Sequence, residues 1–286
     1  MIQSLFSGVS GMLANQTEMD VIGNNIANAN TDGFKGSNAN FTESFEQVTN
    51  AATVNNPVGM SVGLGVNVES TTTNFSQGVF QTTNVPTDMG INGNGFFTVQ
   101  TVSGTNLLTR DGDFVEDSNG FLRTPDGAYL MGVMGTTAPT SPTAGTPPDQ
   151  IQIPATLTEG TGTTATTTPV VSFAVDSTGA ITATGQDGTT QTVGFITLQT
   201  FSNNNGLVDV GNNYYQYGAA AGTDQYTQAS QAGAGTIQTG VLEASNVDLS
   251  TEFANMIIAQ RGFEAAARVI TVSDDMLQTV TNLKQQ

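Results

Sequence analysis

The chain has 286 residues, with 6 Lys and Arg against 24 Asp and Glu, and a formal net charge of −18 at pH 7. It contains no His, Cys or Trp, which excludes a Ser-His-Asp triad, a Cys nucleophile, a disulfide framework and a His or Cys metal site. The charge argues against nucleic acids and anionic membranes, since clustered Lys and Arg bind both. We therefore expect no catalytic residue, no metal and no cofactor.

The first predicted element is an amphipathic helix over residues 1–29. Its apolar residues recur at spacings of three and four, which is typical of a coiled-coil-like seam. The seam residues are Leu5, Val9, Met12, Met19 and Ile26. No Lys or Arg precedes Lys35, and no apolar segment has the length of a signal peptide core or a membrane span. We therefore expect neither a cleaved signal peptide nor membrane insertion.

The middle of the chain, residues 66–240, predicts an antiparallel β-rich domain of the sandwich or barrel type. Short β-rich segments such as 95–102 and 194–201 are bounded by Asn-Gly and Asp-Gly turn signals. Residues 62–68 alternate apolar and small side chains and predict one further strand. Residues 136–190 are rich in Thr and Pro at their start, which predicts an extended excursion or a small insertion.

Two segments of the middle region resemble functional loops only in part. The carboxylates of Asp111, Asp113 and Glu116 begin like a calcium loop, but apolar residues break the spacing. The segment therefore predicts two hairpin turns, at its Asp-Gly and Asn-Gly pairs. The glycine-rich residues 90–97 precede a predicted strand rather than a helix, so they do not fit a nucleotide loop. A secreted hydrolase using these carboxylates and a monomeric adhesin remain alternatives.

The last predicted element is a helix over residues 248–286, with Asp248 as its N-cap. Its seam residues are Phe253, Met256, Phe263, Ile270 and Leu277. A helix of about 50 Å with one narrow seam needs a partner helix. We expect that partner to be the N-terminal helix, from the same chain or from a neighbouring copy. The predicted fold class is α+β: two long terminal helices paired as a coiled coil around a central antiparallel β-rich domain.

Four segments of the chain, in order, resemble the signatures of the rod and hook family of axial proteins in the bacterial flagellum. They are residues 20–35, 75–97, 107–114 and 240–264. The signature residues within the first, second and fourth segments are Asn24, Asn25, Asn28, Gly33, Phe34, Gln77, Gly78, Gly93, Gly95, Phe96, Phe97, Asn246, Gln260 and Arg261.

This resemblance implies a structural protein, not an enzyme, that self-assembles with many identical copies into a helical tube used in motility. It implies an inner, channel-lining domain at 1–29 and 248–286, a connecting segment at 30–65 and 241–247, and the β-rich domain at 66–240. The implied partners are other copies of the chain, adjoining axial proteins of the rod and of the hook–filament junction, the hook cap and the export apparatus. Type III export would need no cleaved signal peptide.

Within this family, the features divide between two members. The segments 23–31, 75–78 and 200–207 look more like the hook, the flexible joint outside the cell. The short middle region at 136–190 is closer to the distal rod, the rigid drive shaft of the periplasm-spanning basal body. We expect a short hook protein, with the distal rod protein as the alternative.

Overall fold

The computed structural model describes residues 2–50, 60–135, 148–159, 166–223 and 225–283. The chain divides into two compact units. The helical unit comprises Met1–Ala29, Gly36–Asn74 and Val247–Gln286, and the β-rich unit comprises Asn30–Lys35 and Phe75–Asn246. The segment predicted as a connector, 30–65, contributes to both units, and the predicted domain boundaries stay a prediction.

Two helices dominate the helical unit. Helix α1 spans Ile2–Ala27 and helix α2 spans Leu249–Leu283. Asp248 caps α2 as its sequence position predicts: its Oδ1 accepts hydrogen bonds from Ser250 N at 2.8 Å and Thr251 N at 3.4 Å. These side-chain bonds satisfy amides that the first turn of a helix otherwise leaves without a partner.

The two helices pack against each other in an antiparallel arrangement, because residue numbers rise along α1 as those of the facing residues fall along α2. The facing pairs are Ser4 and Ser273, Gly8 and Ile270, Asn15 and Gly262, and Asn25 and Glu252. Small residues at these positions let the two backbones approach closely. The coiled-coil geometry of the pair remains a prediction.

Four strands complete the helical unit: β1 (Ser37–Glu43), β2 (Glu46–Asn50), β3 (Met60–Gly63) and β4 (Val66–Thr73). β1 pairs with β4 and β2 pairs with β3, both antiparallel. The prediction of one strand over 62–68 is wrong, because the chain bends at Gly65, which has a φ of +119°. A Cβ there would clash with the Ser10 hydroxyl of α1, which accepts a hydrogen bond from Val66 N at 3.3 Å.

The β-rich unit is built from short strands joined by turns and two short 3-10 helices, at Asn204–Gly206 and Ala219–Ala221. The strands are β5 (Phe80–Thr82), β6 (Met89–Asn92), β7 (Phe96–Gln100), β8 (Asn106–Thr109), β9 (Val115–Glu116), β10 (Leu122–Arg123), β11 (Tyr129–Met134), β12 (Asp149–Gln150), β13 (Thr156–Glu159), β14 (Thr166–Val175), β15 (Ala180–Gly185), β16 (Thr190–Thr200), β17 (Val208–Gly211), β18 (Tyr214–Gln216), β19 (Gln225–Gln228), β20 (Thr236–Thr239) and β21 (Val241–Glu243).

Thirteen of these strands form one antiparallel sheet within the described residues. Its main order is β13-β14-β15-β16-β11-β7-β8-β18-β17, and β9, β10, β12 and β19 pair at its sides. Two small sheets, β6 with β20 and β5 with β21, bring residues from the end of the unit beside residues from its beginning. The predicted antiparallel β-rich character is confirmed.

The core of the β-rich unit includes residues from the Thr- and Pro-rich stretch. Ile151, Ile153 and Ile181 are each no more than 4% exposed and belong to the same cluster as Phe97 and Phe114. The expectation of an excursion or insertion at 136–190 therefore differs from the structure over 148–159 and 166–190, which form strands of the main sheet. Alternate apolar residues supply the buried face of these strands even though Thr dominates the composition. Residues 136–147 and 160–165 lie outside the described residues.

The acidic segment forms one of its two predicted turns. Gly120, with a φ of +80°, donates its N–H to Asp117 O at 2.8 Å, which closes the Asn-Gly turn between β9 and β10. The predicted hairpin turn at Asp111 and Gly112 is wrong. Gly112 instead lies against the Met89 backbone, so closely that a Cβ would clash with the Met89 carbonyl.

Candidate assembly site

The first feature of the candidate site is an apolar face of α1 that the single chain leaves exposed. Phe6, Val9 and Leu13 are 65%, 42% and 59% exposed, and their spacing of three and four places them on one side of the helix. A monomeric protein gains nothing from such a face in water, whereas burial of a large apolar side chain contributes about 1.5–3 kcal/mol. This face is therefore suited to contact with another surface.

Helix α2 carries a second exposed face along its C-terminal half. Its apolar residues again follow spacings of three and four, and each is between 45% and 69% exposed. They are Val269, Val272, Met276, Val280 and Leu283. Because Ile270 and Ser273 face α1, α2 has one side against α1 and another apolar side without cover among the described residues. No described helix is long and apolar enough to cross a membrane.

Of the ten predicted seam residues, only Val9 belongs to one of these two exposed faces. Val9 and Phe253 are exposed, at 42% and 51%. The other eight are half-buried, and they are Leu5, Met12, Met19, Ile26, Met256, Phe263, Ile270 and Leu277. The buried positions of the two helices include small residues, Gly8, Ala14, Ala259 and Ser273. The sequence pattern alone does not identify them, since small residues carry little hydrophobic signal.

The second feature is a buried ion cluster in the β-rich unit, formed by Lys35, Arg110 and Glu243. Glu243 Oε1 accepts from Lys35 Nζ at 2.6 Å, and Glu243 Oε2 accepts from Arg110 Nη1 at 3.3 Å. All three side chains are at most 3% exposed. Burial lowers the pKa of both Lys35 and Arg110, and the charge of Glu243 opposes that shift.

Backbone groups complete the ion cluster. Lys35 Nζ also donates to Ser76 O at 2.9 Å, Arg110 Nη2 donates to Gly93 O at 2.8 Å, and Gly78 N donates to Glu243 Oε1 at 2.8 Å. The Arg110 guanidinium also lies 5.2 Å from the centre of the Phe96 ring, at cation–π distance. Carbonyl oxygens and one aromatic face thus contact the two cations, and a backbone amide donates to the anion.

Signature glycines lie where other backbone passes too close for a side chain. A Cβ on Gly78 would clash with Ala244 O, and Gly33, at a φ of +69°, would place a Cβ 2.7 Å from Asp111 N. Gly33 N donates to the backbone oxygen of Glu243 at 2.6 Å. The side chain of Phe34, between Gly33 and the ion cluster's Lys35, is half-buried.

Further signature residues connect the loops around the ion cluster. Gln77 Nε2 donates to Ile91 O and Gln77 Oε1 accepts from Gly93 N, both at 3.1 Å. Asn246 Nδ2 donates to Ser76 O at 3.1 Å. Gly95, at a φ of +126°, turns the chain between β6 and β7.

The two signature phenylalanines of β7 enter different apolar clusters. Phe97 belongs to the main core, and its ring meets Phe114 edge-on at 5.3 Å. Phe96 joins a smaller cluster with Tyr215 and Phe75, whose rings lie 5.9 Å and 5.6 Å away. Opposite faces of one strand therefore anchor two layers of packing.

The signature asparagines lie at the end of α1, within the helical unit. Asn25, only 1% exposed, pairs with the backbone of Ser37: Nδ2 donates to Ser37 O at 2.8 Å and Oδ1 accepts from Ser37 N at 3.0 Å. Asn25 Nδ2 also lies 3.3 Å from Glu252 Oε1. Asn24 is exposed, and it accepts a hydrogen bond from Asn28 Nδ2 at 3.0 Å.

The remaining signature residues lie on the helix surface and do not contact the ion cluster or the buried Asn25. Gln260 and Arg261 lie on an exposed side of α2, where Arg261 forms a surface ion pair with Glu264 at 2.9 Å. Such exposed pairs contribute little to stability.

The three charged residues of the ion cluster are not among the site residues predicted from the sequence. A signal was present: only six Lys and Arg occur in the chain, and Lys35 and Arg110 both fall inside signature segments. No group of three or more Asp or Glu suited to a metal ion is found among the described residues.

The chain matches three family models. The models are the flagella basal body rod protein over residues 5–35, the flagellar hook protein FlgE/F/G D1 domain over 90–183, and the flagellar basal body rod FlgEFG protein C-terminal over 238–283. Flagellar basal-body rod protein FlgG of Bacillus subtilis is 37% identical and FlgG of Borreliella burgdorferi is 34% identical, each over 100% of both chains. Flagellar hook protein FlgE of Helicobacter mustelae is 50% identical over 47% of this chain and 31% of its own.

Proposed function

Because the chain belongs to the rod and hook family of flagellar axial proteins, which are structural components of the flagellum and not enzymes, we propose that it is a subunit of the distal rod. The rod relatives match from end to end, whereas the hook relative matches about half of the chain. The comparisons therefore favour the distal-rod alternative over the hook that the sequence segments suggested.

The observation that supports self-assembly is the exposed apolar face of each helix. Phe6 and Leu13 on α1, with Val272 and Met276 on α2, are 48–65% exposed in the single chain. If the exposed face of α1 in one copy packs on the exposed face of α2 in the next copy, every added subunit buries one face of each kind. A head-to-tail contact of this kind that does not close on itself produces a helical polymer.

We place α1 and α2 in the inner, channel-lining layer of that polymer, as the resemblance implies. The adjoining partners are then other axial proteins of the rod and hook, and the chain reaches them through the flagellar export apparatus. Most of the acidic residues lie in the middle of the sequence, outside the two helices. Mutual repulsion between these charges would oppose contact between β-rich units, leaving the helices as the main adhesive surface.

Aspartate substitutions in the exposed faces test the proposed assembly. We expect Leu13→Asp and Val272→Asp to leave the chain folded, because both side chains are exposed, and to prevent rod assembly and swimming. Ser7→Asp and Thr271→Asp, which add the same charge at exposed polar positions on other sides of the same helices, are the controls. Normal rods in cells that carry only the Leu13→Asp and Val272→Asp chain would show that these faces do not mediate assembly.

Electron microscopy of basal bodies that carry a labelled chain distinguishes rod from hook. Label within the cell envelope, along the shaft of the basal body, is the expected result. Label on the external curved segment would refute the distal rod and restore the hook.

A further inference from the structure

The ion cluster has an unequal charge balance. Lys35 and Arg110 both carry positive charge, and Glu243 is the anion bound to both, through one carboxylate oxygen each. Without Glu243, two cations with side chains at most 3% exposed would be buried beside carbonyl oxygens and the Phe96 ring, with no other ion pair among the described residues. Removing one partner of a buried ion pair is strongly destabilising, because the remaining charge has lost its water.

Chain order makes Glu243 the last member of the cluster. It follows Lys35 by 208 residues and Arg110 by 133 residues. It lies at the end of β21, the last strand of the β-rich unit, and pairs across to Phe80 of β5. Its backbone oxygen also accepts the Gly33 amide at 2.6 Å, so one residue fixes both the first and the second segment of the unit.

We propose that Glu243 couples folding of the whole β-rich unit to the docking of its last strand. Until β21 is in place, the β-rich unit cannot bury Lys35 and Arg110 without leaving both cations unpaired. The unit therefore stays open while its C-terminal strand is absent or undocked, and closes cooperatively when Glu243 arrives. This inference goes beyond the proposed function, since it concerns the folding of one chain and holds for a rod or a hook subunit.

The net charge of the ion cluster predicts the order of stability of the β-rich unit among variants. In the native cluster the net charge of the three side chains is positive by one. Glu243→Gln leaves two cations and no anion, although the amide oxygen can still accept hydrogen bonds. Lys35→Met with Glu243→Gln leaves only Arg110, which keeps Gly93 O at 2.8 Å and the Phe96 ring, and the net charge returns to its native value.

Hydrogen exchange of the full-length chain provides the test, with three amides as reporters. Gly33 N and Gly78 N bond directly to Glu243, whereas Ile151 N bonds to Leu130 O at 2.9 Å in the main core. In Glu243→Gln we expect all three amides to exchange at least about 100-fold faster, because cooperative opening exposes the unit together. In the Lys35→Met, Glu243→Gln double variant we expect Ile151 to regain at least about 10-fold protection.

Several results would overturn the proposal. One is exchange at Ile151 in Glu243→Gln within a factor of about three of the native rate, which would make the cluster a local link only. Another is equal acceleration in Glu264→Gln, the control that removes an exposed carboxylate. If Glu243→Gln fails to fold at all, the double variant decides: a folded double variant supports the charge argument, and an unfolded one contradicts it.

Discussion

Gly8 of α1 faces Ile270 of α2 so closely that a Cβ on Gly8 would lie 2.9 Å from Ile270 Cγ1. The carbonyl oxygen of Ala266 would lie 3.3 Å from the same Cβ. A glycine inside a helix ordinarily costs about 1 kcal/mol relative to alanine. Here the missing side chain makes room for the partner helix, so the residue that weakens α1 in isolation permits the pairing.

Alanine substitutions at two glycines of α1 separate these effects. Gly23→Ala should raise the free energy of unfolding of the helical unit by up to about 1 kcal/mol, because nothing lies within 4 Å of the added Cβ. Gly8→Ala should not give this increase and should lower the unfolding temperature, because Ile270 and the backbone of α2 must move to make room for the added Cβ. Thermal unfolding followed by circular dichroism at 222 nm measures both. Equal stabilisation by the two variants would show that the helices are not packed as described.

Asn25 gives a second prediction, at the end of α1. Asn25→Ala should lower the free energy of unfolding by roughly 2–3 kcal/mol, because the backbone N–H and C=O of Ser37 lose their side-chain partner. Asn24→Ala, at the exposed neighbouring position, should change it by less than about 0.5 kcal/mol. Urea denaturation of both variants provides the measurement.

Glu252 offers an independent check on the same residue. Burial raises the pKa of the Glu252 carboxyl, and the hydrogen bond from Asn25 opposes that shift. Asn25→Ala should therefore raise the Glu252 pKa further, as followed by NMR titration. An unchanged or lower value would mean that the bond between these two side chains does not form in solution.

The third prediction concerns pH. Burial raises the pKa of Asp111 from 3.8 to about 6, with negative charge on Asp113, Asp32 and Asp126 acting in the same direction and a hydrogen bond from Asp113 N opposing it. At a pH between these two pKa values, Asp111 is protonated in the folded chain and ionised in the unfolded chain. This contribution to stability is greatest below about pH 4 and declines as pH rises through 6.

Asp111→Asn removes this dependence while its side-chain oxygen can still accept from Asp113 N. We expect a gain at pH 8 of up to about 3 kcal/mol in the free energy of unfolding, and little difference from the native chain at pH 4. Asp187→Asn is the control, because hydrogen bonds from Thr189 lower the pKa of Asp187. Urea denaturation at pH 4, 6 and 8 tests both, and equal gains at pH 8 would attribute the effect to net charge alone.

The helices could be predicted because their signals are local. The period of apolar residues and the Asp248 cap lie within the segments that they organise, and the bounds agree with the structure to within a few residues at each end. The choice of which face meets α1 could not be predicted in the same way. Helix α2 has apolar residues on more than one side, and only the small residues Ala259 and Ser273 become fully buried on it.

The sheet was predictable in kind but not in detail. Turn signals locate strand ends. The bend at Gly65, however, depends on Ser10, whose hydroxyl accepts a hydrogen bond from Val66, 56 residues further along the chain. The alternation of Ile151 and Ile153 was visible in the sequence, but the surrounding Thr and Pro masked it. The ion cluster depends on a contact across 208 residues, which no local pattern encodes.

The pairing of α1 with α2 also determines how the chain can fold. Ser4 meets Ser273 across 269 positions, and Asn25 meets Glu252 across 227. Helical proteins usually fold rapidly because their contacts join near neighbours in sequence, whereas proteins with distant contacts fold slowly. Although both elements are helices, bringing them together closes a loop of more than 200 residues, and this costs as much entropy as any other distant contact. Its contact order therefore predicts slow docking of the two termini, in which helix formation is early and pairing is late.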